Sequence, residues 1–263
     1  MTVTPALHRH QRFGPAKGIA GTIAAVALLA PAEMALKGLS HGRRSYLVRT
    51  FHRSLARSLG VRIATHGTPA RGGRVLFVAN HVSWADIPVL GARIPAAFIA
   101  KSEVAGWGIV GRLATLGRTV FVERARRSST GTQRDAIAER LVAGDSLILF
   151  PEGTNSDGTG VLPFKSALFA VADGVPDLRI QPVTIAYTRV NGMPVTRMRL
   201  PDLAWVGDTE LMPHVVGFMA LGRITAEIRF HAPVRAGDFS DRKALAQHCH
   251  TVISDAYRAM LRG

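Results

Sequence analysis

Cysteine is almost absent from this sequence, because Cys249 is the only one among its 263 residues. A single thiol excludes an internal disulfide bond and any cysteine-rich metal site, and it is typical of a reducing compartment. Two histidines, His248 and His250, flank the cysteine inside a predicted helix. Residues two positions apart point to different sides of a helix, so we predict no metal site there.

Acidic residues are also scarce, since 18 Asp and Glu stand against 33 Lys and Arg and give a net charge of +15. Such an excess indicates an anionic partner, which can be a nucleic acid, an acidic membrane surface or a phosphorylated substrate. Aromatic residues are few, with three Trp and three Tyr. Only charge supports nucleic-acid binding, because the sequence contains no recognised nucleic-acid module and no pattern of stacking aromatics, so we expect none.

The sequence lacks an apolar run of the length that a simple transmembrane helix requires, about 20 residues. Residues 18–32, GIAGTIAAVALLAPA, are continuously apolar but shorter, and Arg12 and Lys17 precede them. A signal peptide has a similar basic flank and apolar centre. The next segment of the chain, however, is again suited to lipid and does not resemble the start of a secreted domain.

That second segment, residues 43–59, combines an apolar face with a basic face on one predicted helix. The apolar set is Leu47, Val48, Phe51, Leu55 and Leu59, and the basic set is Arg49, Arg53 and Arg57. We predict that residues 1–60 form membrane-anchoring helices, with the amphipathic helix in the plane of an anionic leaflet and residues 18–32 either spanning the bilayer or dipping into one leaflet. The alternative is a core helix with a solvated arginine face.

Residues 61–263 alternate between short apolar runs and helical periods, which predicts one α/β domain. We expect a mostly parallel or mixed central sheet flanked by helices, behind the N-terminal membrane-associated helical segment. The predicted strands are residues 61–65, 75–79, 97–100, 119–123, 146–150, 180–187 and 224–231. The predicted helices are residues 104–116, 131–143, 165–172, 209–221 and 240–261.

A glycine-rich stretch, GWGIVG at residues 106–111, matches the G-x-G-x-x-G pattern of dinucleotide-binding folds. In that motif the first glycine makes the turn directly after a strand. Here residues 101–105 separate the predicted strand from Gly106, and Glu103 would bring negative charge towards the pyrophosphate. We therefore expect neither a nicotinamide nor a flavin cofactor.

The stretch VLFVANHVSWADIPVL, residues 75–90, carries an apolar strand into Asn80 and His81, and Asp86 follows the histidine by five residues. Open α/β sheets bind ligands beyond the carboxyl ends of their strands. The pair can meet if His81 lies in the turn and Asp86 in the first turn of a helix. The carboxylate would then hold one ring nitrogen and leave the other to accept a proton from a substrate hydroxyl. The alternative is a capping aspartate beside an incidental histidine.

Two further segments place polar residues at strand ends. Lys101 and Arg124 each close a predicted strand, where two cations suit a phosphate or carboxylate, with solvated side chains as the alternative.

In the segment LILFPEGTN, the strand breaks before Glu152, Gly153 and Thr154. Gly153 permits close backbone approach to a ligand, and exposed amides in such a turn can stabilise an oxyanion. The alternative is a plain turn.

Together these segments resemble the glycerolipid acyltransferase family, whose best-known members are the 1-acylglycerol-3-phosphate acyltransferases. Four blocks follow the family's order over roughly residues 75–187: NHVSWAD, GRTVFVER, FPEGT and QPVTIAY. Four ordered blocks are a more specific signal than any one of them alone.

The resemblance implies an O-acyltransferase of phospholipid or related lipid biosynthesis, with His81 and Asp86 of the HX4D motif as general base and partner. The enzyme would pass an acyl group from acyl-CoA or acyl-ACP (acyl carrier protein) to a lysolipid hydroxyl, without a metal or other cofactor. It would act at the membrane, on the cytoplasmic face of the inner (plasma) membrane. The substrate-binding residues that the resemblance implies are Lys101, Arg124, Glu152, Gly153 and Thr154.

One position departs from the family pattern. The phosphatidate-forming branch usually reads EGTR, and Asn155 stands where that arginine would be. Loss of a bidentate phosphate partner weakens the case for lysophosphatidate. A related branch acylates lyso-ornithine lipid, which has no phosphate. We rank 1-acyl-sn-glycerol-3-phosphate first as the commoner acceptor, with lyso-ornithine lipid as the alternative. A non-catalytic protein that binds anionic membranes is the alternative of another class.

Overall fold

The described part of the chain, in a computed structural model, comprises residues 41–122, 130–207 and 209–262, with the isolated residues 20 and 27. The predicted apolar segment 18–32, apart from those two positions, lies outside the described residues, and so does Arg124. Among the helices of the described residues, none is both long enough and apolar enough to cross a membrane.

Short runs of apolar and β-branched residues form the strands. The strand Val75–Ala79 is buried along its whole length, as expected of a strand that is covered on both faces of a sheet. The strands are β1 (Val61–His66), β2 (Val75–Ala79), β3 (Ala97–Lys101), β4 (Val120–Val122), β5 (Leu147–Leu149), β6 (Arg179–Val190), β7 (Met193–Pro194), β8 (Ile224–Phe230) and β9 (Val234–Arg235).

These strands form one mixed sheet in the order β1-β8-β6-β2-β5-β3-β4, with β7 and β9 paired to β6. β2 pairs in parallel with β5 and β6, and β3 pairs in parallel with β4 and β5, so these five strands share one direction. β8 runs antiparallel to β6, and β1 runs parallel to β8. The residues that come after β2, β3, β4 and β5 therefore meet at one edge of the sheet, which we call the carboxyl edge.

Helices cover both faces of the sheet. The α-helices are α1 (His41–Ser58), α2 (Asp86–Gly91), α3 (Gly108–Leu116), α4 (Thr130–Val142), α5 (Leu200–Leu203), α6 (Leu211–Ala220) and α7 (Arg242–Arg262). Segments of 3-10 helix occur at Ser102–Gly106, Ser166–Gly174, Arg197–Arg199 and Ala236–Asp238.

Two apolar cores lie on opposite sides of the sheet. The first packs α1, α2 and α6 against the strands and contains Phe77, Tyr187 and Phe218. The second packs α4 and α7 against the other face and contains Leu141 and Cys249. The carboxyl edge lies between these covered faces, and it is the edge at which open α/β sheets present side chains to a ligand.

Helix α1 packs against the α/β domain through its second half. Ala56, and Leu59 just beyond the helix, belong to the first core, whereas Arg57 is exposed. Burial, together with the nearby charges of Arg53 and Arg57, lowers the pKa of Arg93. This end of the helix thus contacts protein on its apolar side. Membrane anchoring by residues 1–60 stays a prediction.

The predicted α/β fold with a mixed sheet flanked by helices is confirmed, and the differences are local. The predicted helix 104–116 is divided into a 3-10 turn and α3, because Gly108 takes a positive φ of 54°. The predicted helix 165–172 is a 3-10 segment, Ser166–Gly174. Strand β6 extends to Val190, beyond the predicted end at Tyr187, because it continues to pair with β8.

Candidate active site

His81 and Asp86 are in contact at the carboxyl edge. His81 lies just after β2, Asp86 begins α2, and Nδ1 of His81 is 2.8 Å from Oδ2 of Asp86. Because a carboxylate can only accept a hydrogen bond, Nδ1 carries the proton and Nε2 is left as an acceptor. The side chain of Asp86 is fully buried and that of His81 is 17% exposed, so the imidazole is the member of the pair that a substrate can reach.

The carboxylate of Asp86 receives three further hydrogen bonds. Oδ2 accepts from the backbone N–H groups of Val82, at 2.7 Å, and Ser83, at 2.9 Å. Oδ1 accepts from the phenol of Tyr187 at 2.7 Å. Burial, and then the charge of Asp86, raise the pKa of Tyr187 well above its usual range, so it remains a donor. Donors on both oxygens stabilise the ionised carboxylate and fix its rotation.

Asn80 fixes the chain just before the histidine. Its Nδ2 donates to the backbone carbonyl of Ile185 at 2.9 Å, and its Oδ1 accepts from the N–H of Ile185 at 2.9 Å. The buried amide therefore continues the pairing of β2 with β6 for one residue beyond the strand. These two bonds set the direction in which His81 leaves the sheet.

An aromatic ring supports the imidazole from one side. The ring of Phe150 stacks on that of His81 with centroids 4.0 Å apart and an interplanar angle of 14°. Phe98 lies behind it, with its centroid 6.2 Å from that of Phe150. The strand-end position of Phe150, directly before the PEG turn, is the only signal in the sequence that could have indicated this contact.

Glu152 binds the backbone of His81. Its Oε1 accepts from the N–H of His81 at 2.7 Å, and its Oε2 accepts from the N–H of Leu162 at 2.8 Å. Burial, with the charge of Asp86 adding a smaller effect, raises the pKa of Glu152 to about 8, although the two backbone hydrogen bonds oppose the rise. The carboxyl group thus ties the turn after β5 to the residue that carries the imidazole.

The turn after β5 approaches His81 a second time, because the N–H of Ser156 donates to the His81 carbonyl at 2.8 Å. Gly153 has a φ of 75°, a conformation that side chains other than glycine rarely adopt, and Thr154 is exposed. Between them and Ser156 lies Asn155. Its Nδ2 is buried and has no hydrogen-bond partner in the part of the chain that the structure describes.

Of the two predicted cations, the structure describes Lys101 and does not describe Arg124. Lys101 ends β3 at the carboxyl edge with an exposed side chain. Within the described residues, it takes no part in the hydrogen bonds that join His81, Asp86 and Glu152. Arg124 lies outside the described residues. The roles of both as contacts to an anionic head group remain predictions.

Around Cys249, the flanking histidines have different neighbours. His248 packs against Phe239 and His250 against Phe164, as their spacing on a helix predicted. Burial raises the pKa of the Cys249 thiol to about 12. Across the described ranges, no group of three or more His, Cys, Asp or Glu residues is placed to hold a metal ion.

The family model and the known proteins that are similar to this chain are all named as acyltransferases. A protein-family model described as Acyltransferase matches residues 61–186. The lyso-ornithine lipid O-acyltransferase of Brucella abortus is 46% identical over 250 residues, which are 93% of this chain and 92% of that protein. That of Rhizobium meliloti is 38% identical over 245 residues, covering 89% and 84%. The 1-acyl-sn-glycerol-3-phosphate acyltransferase of Neisseria gonorrhoeae is 33% identical over 177 residues, 67% of each chain.

A solved structure shares the fold. The crystal structure of the 1-acyl-sn-glycerophosphate acyltransferase PlsC from Thermotoga maritima is similar with a TM-score of 0.66, and the match covers 94% of each chain. The sequences are 23% identical, so this likeness concerns the fold alone.

Proposed function

The chain belongs to the acyltransferase family and is an O-acyltransferase, and we propose that its acceptor is a lysolipid, specifically lyso-ornithine lipid. The observation that carries the reaction is the His81–Asp86 pair, with Nδ1 bonded to a buried carboxylate and Nε2 left to accept a proton. The acyl donor in this proposal is acyl-CoA or acyl-ACP, and the product is the diacylated lipid.

The proposed reaction needs one base and no covalent enzyme intermediate. Nε2 of His81 removes the proton from the acceptor hydroxyl while the hydroxyl oxygen attacks the thioester carbonyl carbon. The C–S bond then breaks, and the leaving thiolate takes the proton from Nε2. Asp86 stabilises the imidazolium that exists between these two transfers. We assign the stabilisation of the developing oxyanion to the backbone N–H groups of Thr154 and Asn155, because that of Ser156 is bonded to the His81 carbonyl.

Asn155 supports lyso-ornithine lipid as the acceptor. Its buried Nδ2, without a hydrogen-bond partner in the described residues, offers N–H donors but no positive charge. A neutral donor suits an amide carbonyl or a single carboxylate better than a phosphate, for which a guanidinium is the stronger partner. Two relatives named for lyso-ornithine lipid are 46% and 38% identical to this chain. Lysophosphatidate is the second candidate, because a relative named for it is 33% identical.

The acceptor and the product of this reaction are membrane lipids, so we also propose that the enzyme works at an anionic membrane surface, on the cytoplasmic face of the inner membrane. The net charge of +15 suits that surface. Residues 1–60 would serve as the anchor, and Lys101 and Arg124 would contact the anionic groups of the acceptor.

The test is product analysis with purified full-length protein. With acyl-CoA or acyl-ACP as donor, we expect conversion of lyso-ornithine lipid at a higher kcat/KM than lysophosphatidate, measured by lipid mass spectrometry. His81→Ala should remove turnover of both acceptors. Faster conversion of lysophosphatidate would contradict the acceptor assignment, and a wild-type rate in His81→Ala would contradict the base.

A substitution at Asn155 separates the two acceptors. Asn155→Arg should move the ratio of kcat/KM values towards lysophosphatidate by roughly tenfold or more, because it adds a bidentate phosphate partner. Thr159→Arg is the matched control, since it places the same charge in an exposed loop a few residues away. An equal change of the ratio in both variants would mean that charge, and not position 155, selects the acceptor.

A further inference from the structure

Helix α6 exposes an apolar face. The helix, LMPHVVGFMA, contains no Asp, Glu, Lys or Arg. Phe218 is fully buried, whereas Met212 and Val216, one turn apart on the outer side, are 66% and 43% exposed. A helix on the surface of a soluble domain usually turns charged or polar residues outward. This one does not, so its outer side is suited to an apolar environment.

A second exposed apolar segment lies at the start of α3. Residues 104–110, VAGWGIV, carry no charge, and Trp107, Ile109 and Val110 are 43%, 68% and 40% exposed. The ring of Trp107 packs edge-on against that of Trp205, with centroids 5.9 Å apart. Trp205 belongs to the segment that leads into α6, and the next residue, Val206, is 41% exposed. The two apolar segments are therefore joined.

We call this surface the apolar rim, and its residues are Trp107, Ile109, Val110, Val206, Met212 and Val216. It adjoins the proposed active site, because the N–H of Trp205 donates to the carbonyl of Val82, the residue after His81, at 3.0 Å. The rim is also held in place, since Nε1 of Trp84 donates to Nδ1 of His214 on α6 at 2.9 Å. These two hydrogen bonds fix the segment around Trp205 and helix α6 beside the chain that carries His81.

Exposed charged residues of both signs lie beside the apolar rim, and the acidic ones include Glu103 and Glu210. Arg112 lies three residues after Ile109 and so on the same side of α3, and it is exposed. Lys101, before the rim segment, and Arg197, before α5, are exposed as well. Tryptophan side chains beside exposed aliphatic ones, with Lys and Arg around them, are typical of a protein surface at a membrane interface. Because the chain as a whole carries a net charge of +15, the partner that suits this surface is a leaflet that contains anionic lipids.

We propose that the apolar rim is a bilayer-docking surface of the catalytic domain, which inserts into an anionic leaflet and turns the side of the domain that carries His81 towards it. This contact is additional to any anchoring by residues 1–60. Its consequence for the acceptor rests on the proposed function: a lysolipid would reach His81 directly from the leaflet, without passing through water. Docking itself does not depend on which acceptor is used.

A fluorescent label at the rim tests this directly. Full-length Ile109→Cys and Met212→Cys variants would each carry a polarity-sensitive dye, with Val142→Cys as the control. Val142 is 47% exposed at the end of α4, on the other face of the sheet. The native Cys249 is buried, so the unsubstituted protein should take little label. On adding vesicles of phosphatidylcholine and phosphatidylglycerol, we expect a blue shift of emission at 109 and 212 and none at 142.

Other results would overturn the proposal. A protein that sediments with the vesicles without a shift at 109 and 212 is bound through another surface. Emission that is already blue before vesicles are added, and does not change, means that residues 18–32 cover the rim. A blue shift that grows with protein concentration alone means that a second copy covers it. Because the dye reports docking without turnover, failure of the proposed function would not produce any of these results.

The double variant Ile109→Ser/Met212→Ser gives a functional measure. Removing two exposed apolar side chains from a lipid contact should weaken vesicle binding by roughly tenfold or more, while Val142→Ser should leave it unchanged. The double variant should lose rate with acceptor in vesicles and keep its rate with acceptor dispersed in detergent. Unchanged vesicle binding in the double variant would overturn the proposal.

Discussion

The phenol of Tyr187 donates a hydrogen bond to Oδ1 of Asp86 at 2.7 Å, although the two residues are 101 positions apart in the sequence. Both side chains are buried, so water does not compete for this bond. The other oxygen, Oδ2, is shared by the imidazole of His81 and two backbone N–H groups. Tyr187 therefore holds the carboxylate in the rotation that directs Oδ2 at Nδ1 of His81.

Tyr187→Phe should slow the reaction while leaving substrate binding unchanged, because the buried Tyr187 acts through its bond to Asp86. Loss of one hydrogen bond to a charged group, worth about 1.5–3 kcal/mol, should lower kcat roughly tenfold or more. KM for both substrates should stay constant. Tyr257→Phe is the control, since it removes another buried phenol, bonded to the Gly158 carbonyl at 2.6 Å, and should cost stability with little effect on kcat. A similar loss of kcat in both variants would reduce Tyr187 to a structural role.

Asp86→Asn should lower kcat by a factor on the order of 10³–10⁴, by analogy with the loss of the carboxylate that orients a catalytic histidine. An amide has one acceptor oxygen, whereas Asp86 accepts from His81, Val82, Ser83 and Tyr187. The NH2 group of the introduced asparagine must therefore face one of these donors.

Steady-state kinetics of the single and double variants test whether the pair acts as a unit. If it does, His81→Ala/Asp86→Asn should be no slower than His81→Ala alone. Multiplicative losses in the double variant would show that Asp86 acts independently of the histidine.

The sequence predicted the parts of the site that are local. His81 and Asp86 are five residues apart, and an apolar strand before them is enough to place both at a strand end. The bonds of Tyr187 to Asp86 and of Asn80 to Ile185 join segments more than 100 residues apart. They depend on β6 lying beside β2, which no local pattern specifies.

Glu152 is a second residue whose contacts could not be predicted from the local sequence. The position of Glu152 in a turn after a strand predicts that it lies near a ligand. Its role in binding the substrate stays a prediction. Both of its oxygens, however, accept backbone N–H groups, from His81 and Leu162. Such bonds depend on where a distant backbone segment passes, so residue type and spacing do not indicate them.

Glu152→Gln should change how stability depends on pH. Because the folded-state pKa of about 8 lies above the usual 4.5, the folded state binds this proton more tightly than the unfolded chain does. That contribution is present below pH 4.5 and is lost as pH rises through about 8. The glutamine cannot accept both backbone N–H groups, so we expect a loss of about 1–3 kcal/mol at pH 5. Above pH 8 the loss should disappear or reverse, because the wild type loses its contribution there and the glutamine does not titrate.

Urea unfolding of the wild type and the Glu152→Gln variant at pH 5 and pH 8.5 measures this difference. Glu103→Gln, which neutralises an exposed carboxylate, is the control and should show the same difference at both pH values. An equal penalty for Glu152→Gln at both values would mean that Glu152 is already ionised in the folded protein at pH 5.

His52 should make the protein less stable in mild acid. The ring packs edge-on against Phe51 and Phe98, and its Nδ1 is buried without a hydrogen-bond partner in the described residues. Burial lowers its pKa from 6.5 to about 4, so the unfolded chain binds this proton more tightly. The contribution of a neutral His52 is therefore present above pH 6.5 and is lost as pH falls through about 4, by about 3 kcal/mol in all.

His52→Phe tests this, because phenylalanine keeps an aromatic ring and removes both the titration and the unpaired nitrogen. The variant should be at least as stable as the wild type at pH 7 and about 2 kcal/mol more stable than it at pH 5. Gly91→Ala is the contrasting variant, since the added Cβ would overlap the His52 ring and should cost about 1–3 kcal/mol at both pH values. Parallel pH dependence of unfolding in His52→Phe and the wild type would show that His52 does not carry the acid sensitivity of the fold.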